Sequence, residues 1–153
     1  MAKSVFDKLN LKDQREILIV NAPESFEPEL KALNGVAVRR KDSEVKSIAF
    51  SLAFVIKQAD VDSLAKKVAA KAGSDAVVWF AYPKGSSKRY KSEINRDSGW
   101  KVMGKAGFEP VRMVAIDEDW SAIRFRRAEF IKTMKRDAKY AMSKAGKARA
   151  GGR

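Results

Sequence analysis

Three stretches of β-rich apolarity constrain this chain more than any other feature: Ile17-Leu-Ile-Val-Asn-Ala22, Ser47 to Ile56, and Ala76-Val-Val-Trp-Phe-Ala-Tyr82. A strand with one wet face alternates polar and apolar residues, whereas a run that is apolar at nearly every position needs burial on both faces. The intervening segments carry the helical period instead. Phe26, Leu30 and Leu33 recur at i, i+4 and i+7, with Pro28 in the first turn and Gly35 beyond the last apolar residue, which predicts a short helix with a glycine C-cap. Val36-Ala-Val-Arg-Arg40 predicts a second, half-exposed strand. Asp60 is the expected N-cap of a helix striped by Val61, Leu64, Ala65, Val68 and Ala72 and stopped by Gly73. Ser92 or Asn95 is the expected cap of a helix carrying Trp100, Met103 and Ala106 and ending at Gly107. Val111–Ile116 and Ser121–Arg126, joined through Asp117-Glu-Asp119, predict an antiparallel hairpin.

Strands alternating with helices in this order predict an α/β fold, a small doubly wound and mostly parallel sheet of about six strands that ends in the hairpin. From Ala128 the pattern turns helical through Phe130, Ile131, Met134, Ala138, Ala141 and Met142, and it weakens toward Gly146. The expected organisation is therefore an α/β domain over residues 1–127 and a basic helix with a disordered end over 128–153. Ligands in such sheets sit in the crevice beyond the C-terminal ends of the strands, where strand order reverses.

Composition narrows the chemistry. The 153 residues include no Cys and no His. Disulfides, thiolate nucleophiles and zinc–sulfur sites are excluded, as are Ser-His-Asp and Cys-His catalysis. The N-terminus, Met1-Ala-Lys-Ser-Val-Phe-Asp-Lys-Leu9, lacks the apolar core of a signal peptide. The longest apolar stretch, Ile48–Ile56, falls far short of the ~20 residues that span a bilayer. A cytoplasmic protein with no membrane partner is expected.

The formal charge of +13 is not spread evenly. Residues 124–153 carry +9 and residues 84–101 carry +4, so the rest of the chain is neutral. The first concentration is the segment Lys84-Gly-Ser-Ser-Lys-Arg-Tyr-Lys91, which leaves a strand end with a glycine, two hydroxyls and four cations. Backbone N–H groups in a Gly-Ser-Ser turn form an anion-binding concavity, and Lys84, Lys88 and Arg89 supply charge beside Ser86 and Ser87. Arg96, near a helix start, is suited to clamping a carboxylate or phosphate. Asn21, Pro23 and Glu24 leave the first strand at the same edge, and Glu24 is the one carboxylate placed there to act as a base, though it stands without a partner. Asp117, Glu118 and Asp119 read as turn residues, since consecutive turn acids point apart, so no metal site is expected.

Asn21-Ala-Pro-Glu24, Val78-Trp-Phe-Ala-Tyr-Pro-Lys84 and Val114-Ala-Ile-Asp-Glu-Asp-Trp-Ser-Ala-Ile-Arg124 together resemble a bacterial family of domains of unknown function. That family has a strand ending in an Ala-Pro-Glu loop, a strand ending in Trp-x-x-Pro-Lys and an acidic-Trp-Ser hairpin. The likeness runs from about residue 10 to residue 127. The second half is also similar to class I methyltransferases, which implies a Rossmann-like, methyltransferase-like fold. Those enzymes place a glycine-rich turn after the first strand so that backbone approaches the cofactor. Here that turn is Asn21-Ala-Pro-Glu24, with no glycine and a rigid proline. No cofactor is therefore expected.

The leading expectation is a non-catalytic or cryptic module for an anionic small molecule held by Asn21, Pro23, Glu24, Lys84, Ser86, Ser87, Lys88, Arg89 and Arg96. One alternative is a nucleic-acid-associated protein whose tail, through Lys132, Lys135, Arg136, Lys139, Lys144, Lys147 and Arg149, neutralises phosphates. The other is an S-adenosylmethionine-dependent methyltransferase with an altered cofactor turn.

Overall fold

A computed structural model describes residues 5–92, 94 and 99–131, the side chain of Ser74 excepted. The strands are β1 (Glu16–Val20), β2 (Ala37–Arg39), β3 (Ile48–Phe54), β4 (Ala72–Pro83), β5 (Phe108–Ala115) and β6 (Trp120–Arg127). They form one six-stranded sheet in the order β2-β1-β3-β4-β6-β5. β2, β1, β3 and β4 run parallel, and β6 is antiparallel to both β4 and β5. The expected mixed α/β sheet with a terminal hairpin is the one observed. From β1 the chain steps outward to β2 and then returns to pair β3 on the other side of β1. Strand order therefore reverses between β1 and β3.

The unbroken apolar runs are buried on both faces, as their composition requires. Leu18, Ala53, Val55, Val78, Phe80 and Tyr82 face α3 (Gln58–Lys71) and α4 (Lys101–Lys105). Ile17, Ile19, Phe50, Leu52, Phe54, Val77 and Trp79 face α1 (Val5–Lys8) and α2 (Glu27–Lys31). Trp79 is fully buried and donates its indole N–H to the Leu9 carbonyl at 2.7 Å, tying the segment after α1 under the centre of the sheet.

Several local readings change. α1 was not legible as an element, although Val5, Phe6 and Leu9 are all buried. The first strand stops at Val20, because Asn21 turns into the left-handed region at φ 59°. α2 ends at Lys31 with Ala32 as its C-cap, and Gly35 lies in the loop beyond. Asp60 is not the N-cap of α3. It occupies the third helical position and its carboxylate reaches back to accept the N–H groups of Ile56 and Lys57 at 3.1 and 3.0 Å. Gly73 does not end that helix by a left-handed turn. It lies in β4, where a Cβ would meet the Ile48 carbonyl oxygen at 3.3 Å. α4 starts from Trp100, not from Ser92. Gly107 does follow α4 with φ 94°, the conformation that favours glycine.

After β6 the described chain makes one 3-10 turn, Ala128–Phe130. The remainder of the expected C-terminal helix, from Lys132 onward, lies outside the described residues, as does Asn95. Among the described residues, no helix is long and apolar enough to cross a membrane.

Candidate functional site

The C-terminal ends of β1, β3 and β4 lie side by side, and the expected site residues leave from them. β1 passes into Asn21–Glu24, β3 into Val55–Lys57 and β4 into Lys84–Ser92. Asn21 and Glu24 are exposed, and Ala22 and Pro23 are half-buried. The Asn21 amide reaches the Phe54 carbonyl on β3 at 3.5 Å. Asn21 thus supplies the positive φ that a tight exit from β1 needs without a glycine, since asparagine tolerates that conformation better than other side chains.

The loop from β4 is fastened at both ends. At its start the Lys84 N–H donates to the Asp119 carbonyl at 2.8 Å, and Ser87 Oγ donates to Asp119 Oδ1 at 2.9 Å. The same hydroxyl accepts the N–H groups of Arg89 and Tyr90 at 3.2 and 3.1 Å. At its far end Ser92 Oγ donates to the Ile56 carbonyl at 3.2 Å. The loop therefore runs along the strand edge from the end of β4 to the end of β3. Gly85, Ser86, Lys88, Arg89 and Lys91 are exposed, and Lys84 is half-buried. The Ser87 hydroxyl is taken up by the protein itself, so its part is to shape the turn. Arg96, like Lys132, Lys135, Arg136, Lys139, Lys144, Lys147 and Arg149 of the tail, lies outside the described residues.

Beneath the loop, aromatic rings line the same edge. Phe26 packs on Phe54 at 5.1 Å between centroids, Phe54 on Trp120 at 5.1 Å, and Trp120 on Tyr90 at 5.0 Å. Phe26 comes from the 3-10 turn Glu24–Phe26 that begins at the end of Asn21-Ala-Pro-Glu24, Phe54 ends β3, Trp120 begins β6, and Tyr90 belongs to the cationic loop. The Trp120 indole N–H is buried and has no hydrogen-bond partner among the described residues. Trp120 and Tyr90 escaped the sequence reading as site residues, because an aromatic beside a turn looks the same whether it packs or lines a site. The placement of Asp119 against the loop was also not legible, since it joins residues far apart in the chain.

Asp117 serves its turn. Its Oδ1 accepts the N–H groups of Asp119 and Trp120 at 2.8 and 2.9 Å. Among the described residues, no group of three or more carboxylates gathers as a metal site would require.

No protein-family model matches the chain, and no curated protein does. Solved structures do resemble it. The N-methyltransferase NodS from Bradyrhizobium japonicum is similar at TM-score 0.50 and 9% identity, over 78% of this chain and 90% of that one. A SAM-dependent methyltransferase from Aquifex aeolicus gives 0.50 and 13%, over 80% and 87%. The magnesium protoporphyrin IX methyltransferase ChlM from Synechocystis, solved with bound SAM, gives 0.52 and 10%, over 80% and 74%. At such identities the likeness is one of fold: the chain has a class I methyltransferase-like fold.

Proposed function

We propose that the protein is a binding module for a small anionic ligand, seated over the C-terminal edge of β1, β3 and β4. The observation that carries this reading is the two-ended fastening of the loop Lys84–Ser92, which holds Lys88, Arg89 and Lys91 along that edge. Among the described residues no carboxylate pairs with Lys84, Lys88, Arg89 or Lys91, so their charge is available to a ligand. The exposed Gly85 and Ser86 leave backbone near those cations, and Asn21, Pro23 and Glu24 border the same edge from β1. Arg96 is assigned to the same ligand from its place in the sequence. The Trp120 ring packs against Tyr90 of the loop, and its buried N–H has no partner among the described residues.

A thermal-shift panel of nucleotides and phosphorylated metabolites tests the reading. At least one anion should raise Tm by several degrees through preferential binding to the folded state. Lys84→Ala combined with Arg89→Ala should abolish that rise. An absence of stabilisation by every anion sinks the proposal.

The methyltransferase-like fold favours a second reading, an S-adenosylmethionine-dependent methyltransferase. The β1 exit does not suit that cofactor, which needs close approach of backbone. All four positions from Asn21 to Glu24 carry side chains, Pro23 has no N–H to offer, and Ala22 is partly buried against the core on the α1 face. Calorimetric titration with S-adenosylmethionine separates the two readings: no heat at millimolar cofactor is expected, and saturable binding would favour the enzyme.

A further inference from the structure

A second cationic feature lies away from the loop, on the face of the sheet that carries α1. In β6, Trp120 and Ala122 point into the core on that face, and strand alternation puts Arg124 and Arg126 on the same side. Arg124 stands opposite Trp79 of β4 on one flank and directly opposite Arg112 of β5 on the other. It is four residues back from the end of β4, about 13 Å at the strand rise, and so is separate from the Lys84–Ser92 loop.

Two carboxylates stand at the Arg126 end of this row. Arg126 donates to both oxygens of Asp75, at 2.9 and 2.7 Å, and the buried Glu109 stands across from it in register. Among the described residues, no carboxylate forms an ion pair with Arg112 or Arg124. Arg124 Nη1 makes a long contact to Asn10 Oδ1 at 3.5 Å, and its buried Nε has no hydrogen-bond partner among the described residues. Like charges directly opposite across two strands repel. Burial, and after it repulsion from Arg126 and Arg112 only partly offset by Asp75, holds the Arg124 guanidinium below its usual value.

We propose that Arg112 and Arg124 form an anion site of their own, which takes a phosphate-type oxyanion between the two guanidinium groups on the α1 face of the β5–β6 hairpin. A phosphate oxygen is the acceptor that a planar guanidinium engages through paired N–H donors, and one such group offsets the cross-strand repulsion between Arg112 and Arg124. The phosphate belongs either to a free phosphorylated compound or to a phosphodiester chain.

Calorimetry at low salt with sodium pyrophosphate, and separately with a single-stranded oligonucleotide of about 12 nucleotides, tests the site. Arg112 is exposed and its removal spares the core, so Arg112→Ala should fold normally and weaken binding by about tenfold, with Arg124→Gln doing the same. Lys88→Ala combined with Arg89→Ala should leave this component unchanged. Pyrophosphate binding that depends on Arg112 identifies a free phosphorylated ligand, and oligonucleotide binding alone with that dependence identifies a phosphodiester chain. Binding lost only in the Lys88 and Arg89 variant overturns this site while leaving the loop reading intact. Failure of both probes to bind, or binding indifferent to Arg112 and Arg124, also overturns it.

Discussion

Ser87 Oγ donates to Asp119 Oδ1 across 2.9 Å, joining the loop that leaves β4 to the turn that opens β6. The one hydroxyl also accepts two backbone N–H groups, so it holds the Lys84–Arg89 turn and anchors it at once. Ser87→Ala should cost about 1 kcal/mol, as for a partly exposed hydrogen bond to a carboxylate. It should also weaken anion binding several-fold, because the cations lose their fixed position. Denaturant unfolding and calorimetry read the two effects, and unchanged values in both would show that the loop is held by something else.

Trp79 and Trp120 are both buried but differ in one respect. The Trp79 N–H is paired with the Leu9 carbonyl, whereas the Trp120 N–H has no partner among the described residues. Either change to Phe removes similar volume, but Trp79→Phe also leaves a buried carbonyl unpaired. Trp79→Phe should therefore be the more destabilising by about 1–2 kcal/mol in chemical denaturation. Equal losses would mean that the hydrogen bond contributes nothing. On the proposed function, Trp120→Phe should weaken the ligand more than it weakens the fold.

Asn21 holds φ 59° at the exit from β1. Asn21→Gly should leave stability within a few tenths of a kcal/mol of wild type, while Asn21→Val should lose about 1–2 kcal/mol, because a β-branched residue is disfavoured in the left-handed region. Equilibrium unfolding of the two variants checks the contrast. A harmless valine would contradict the backbone described.

The Arg126 guanidinium, hydrogen-bonded to Asp75, holds that carboxyl below its usual range. Arg40 does the same for Glu27, and the N–H groups of Arg40 and Lys41 do so for Glu44. A carboxyl with a lowered folded value binds its proton more readily in the unfolded chain. Its contribution is complete above the ordinary carboxylate range and is lost as pH falls through and below about 4. Asp75→Asn should lower Tm by a few degrees at most at pH 7, as befits a surface pair, and by nothing near pH 2. A Tm difference that grew on acidification would contradict the pairing.

Much of the fold was legible because burial on two faces leaves a compositional mark. Ile17–Val20, Leu52–Val55 and Val77–Tyr82 lack the polar alternation of a half-wet strand, and the β5–β6 hairpin showed its turn in Asp117–Asp119. Short elements were harder to read. α1 spans four residues, too few to display a period, and the residue after it, Leu9, is held by Trp79 from far along the chain. Asp60 was recognised as a capping residue but placed three positions early, since a carboxylate that reaches back from the first turn resembles one that reaches forward. At the candidate site the cations of Lys84–Lys91 were legible as a cluster, whereas the Ser87–Asp119 bond, the Phe26–Phe54–Trp120–Tyr90 row and the Arg112–Arg124 juxtaposition depend on pairing between distant segments.

Backbone amide NMR during titration with the anion that stabilises most in the thermal-shift panel tests the central claim most directly. The proposed module predicts saturable shifts concentrated at Gly85–Lys91 and Asn21–Glu24, lost together in Lys84→Ala plus Arg89→Ala. Shifts that bypass both segments, or none at any concentration, would contradict it.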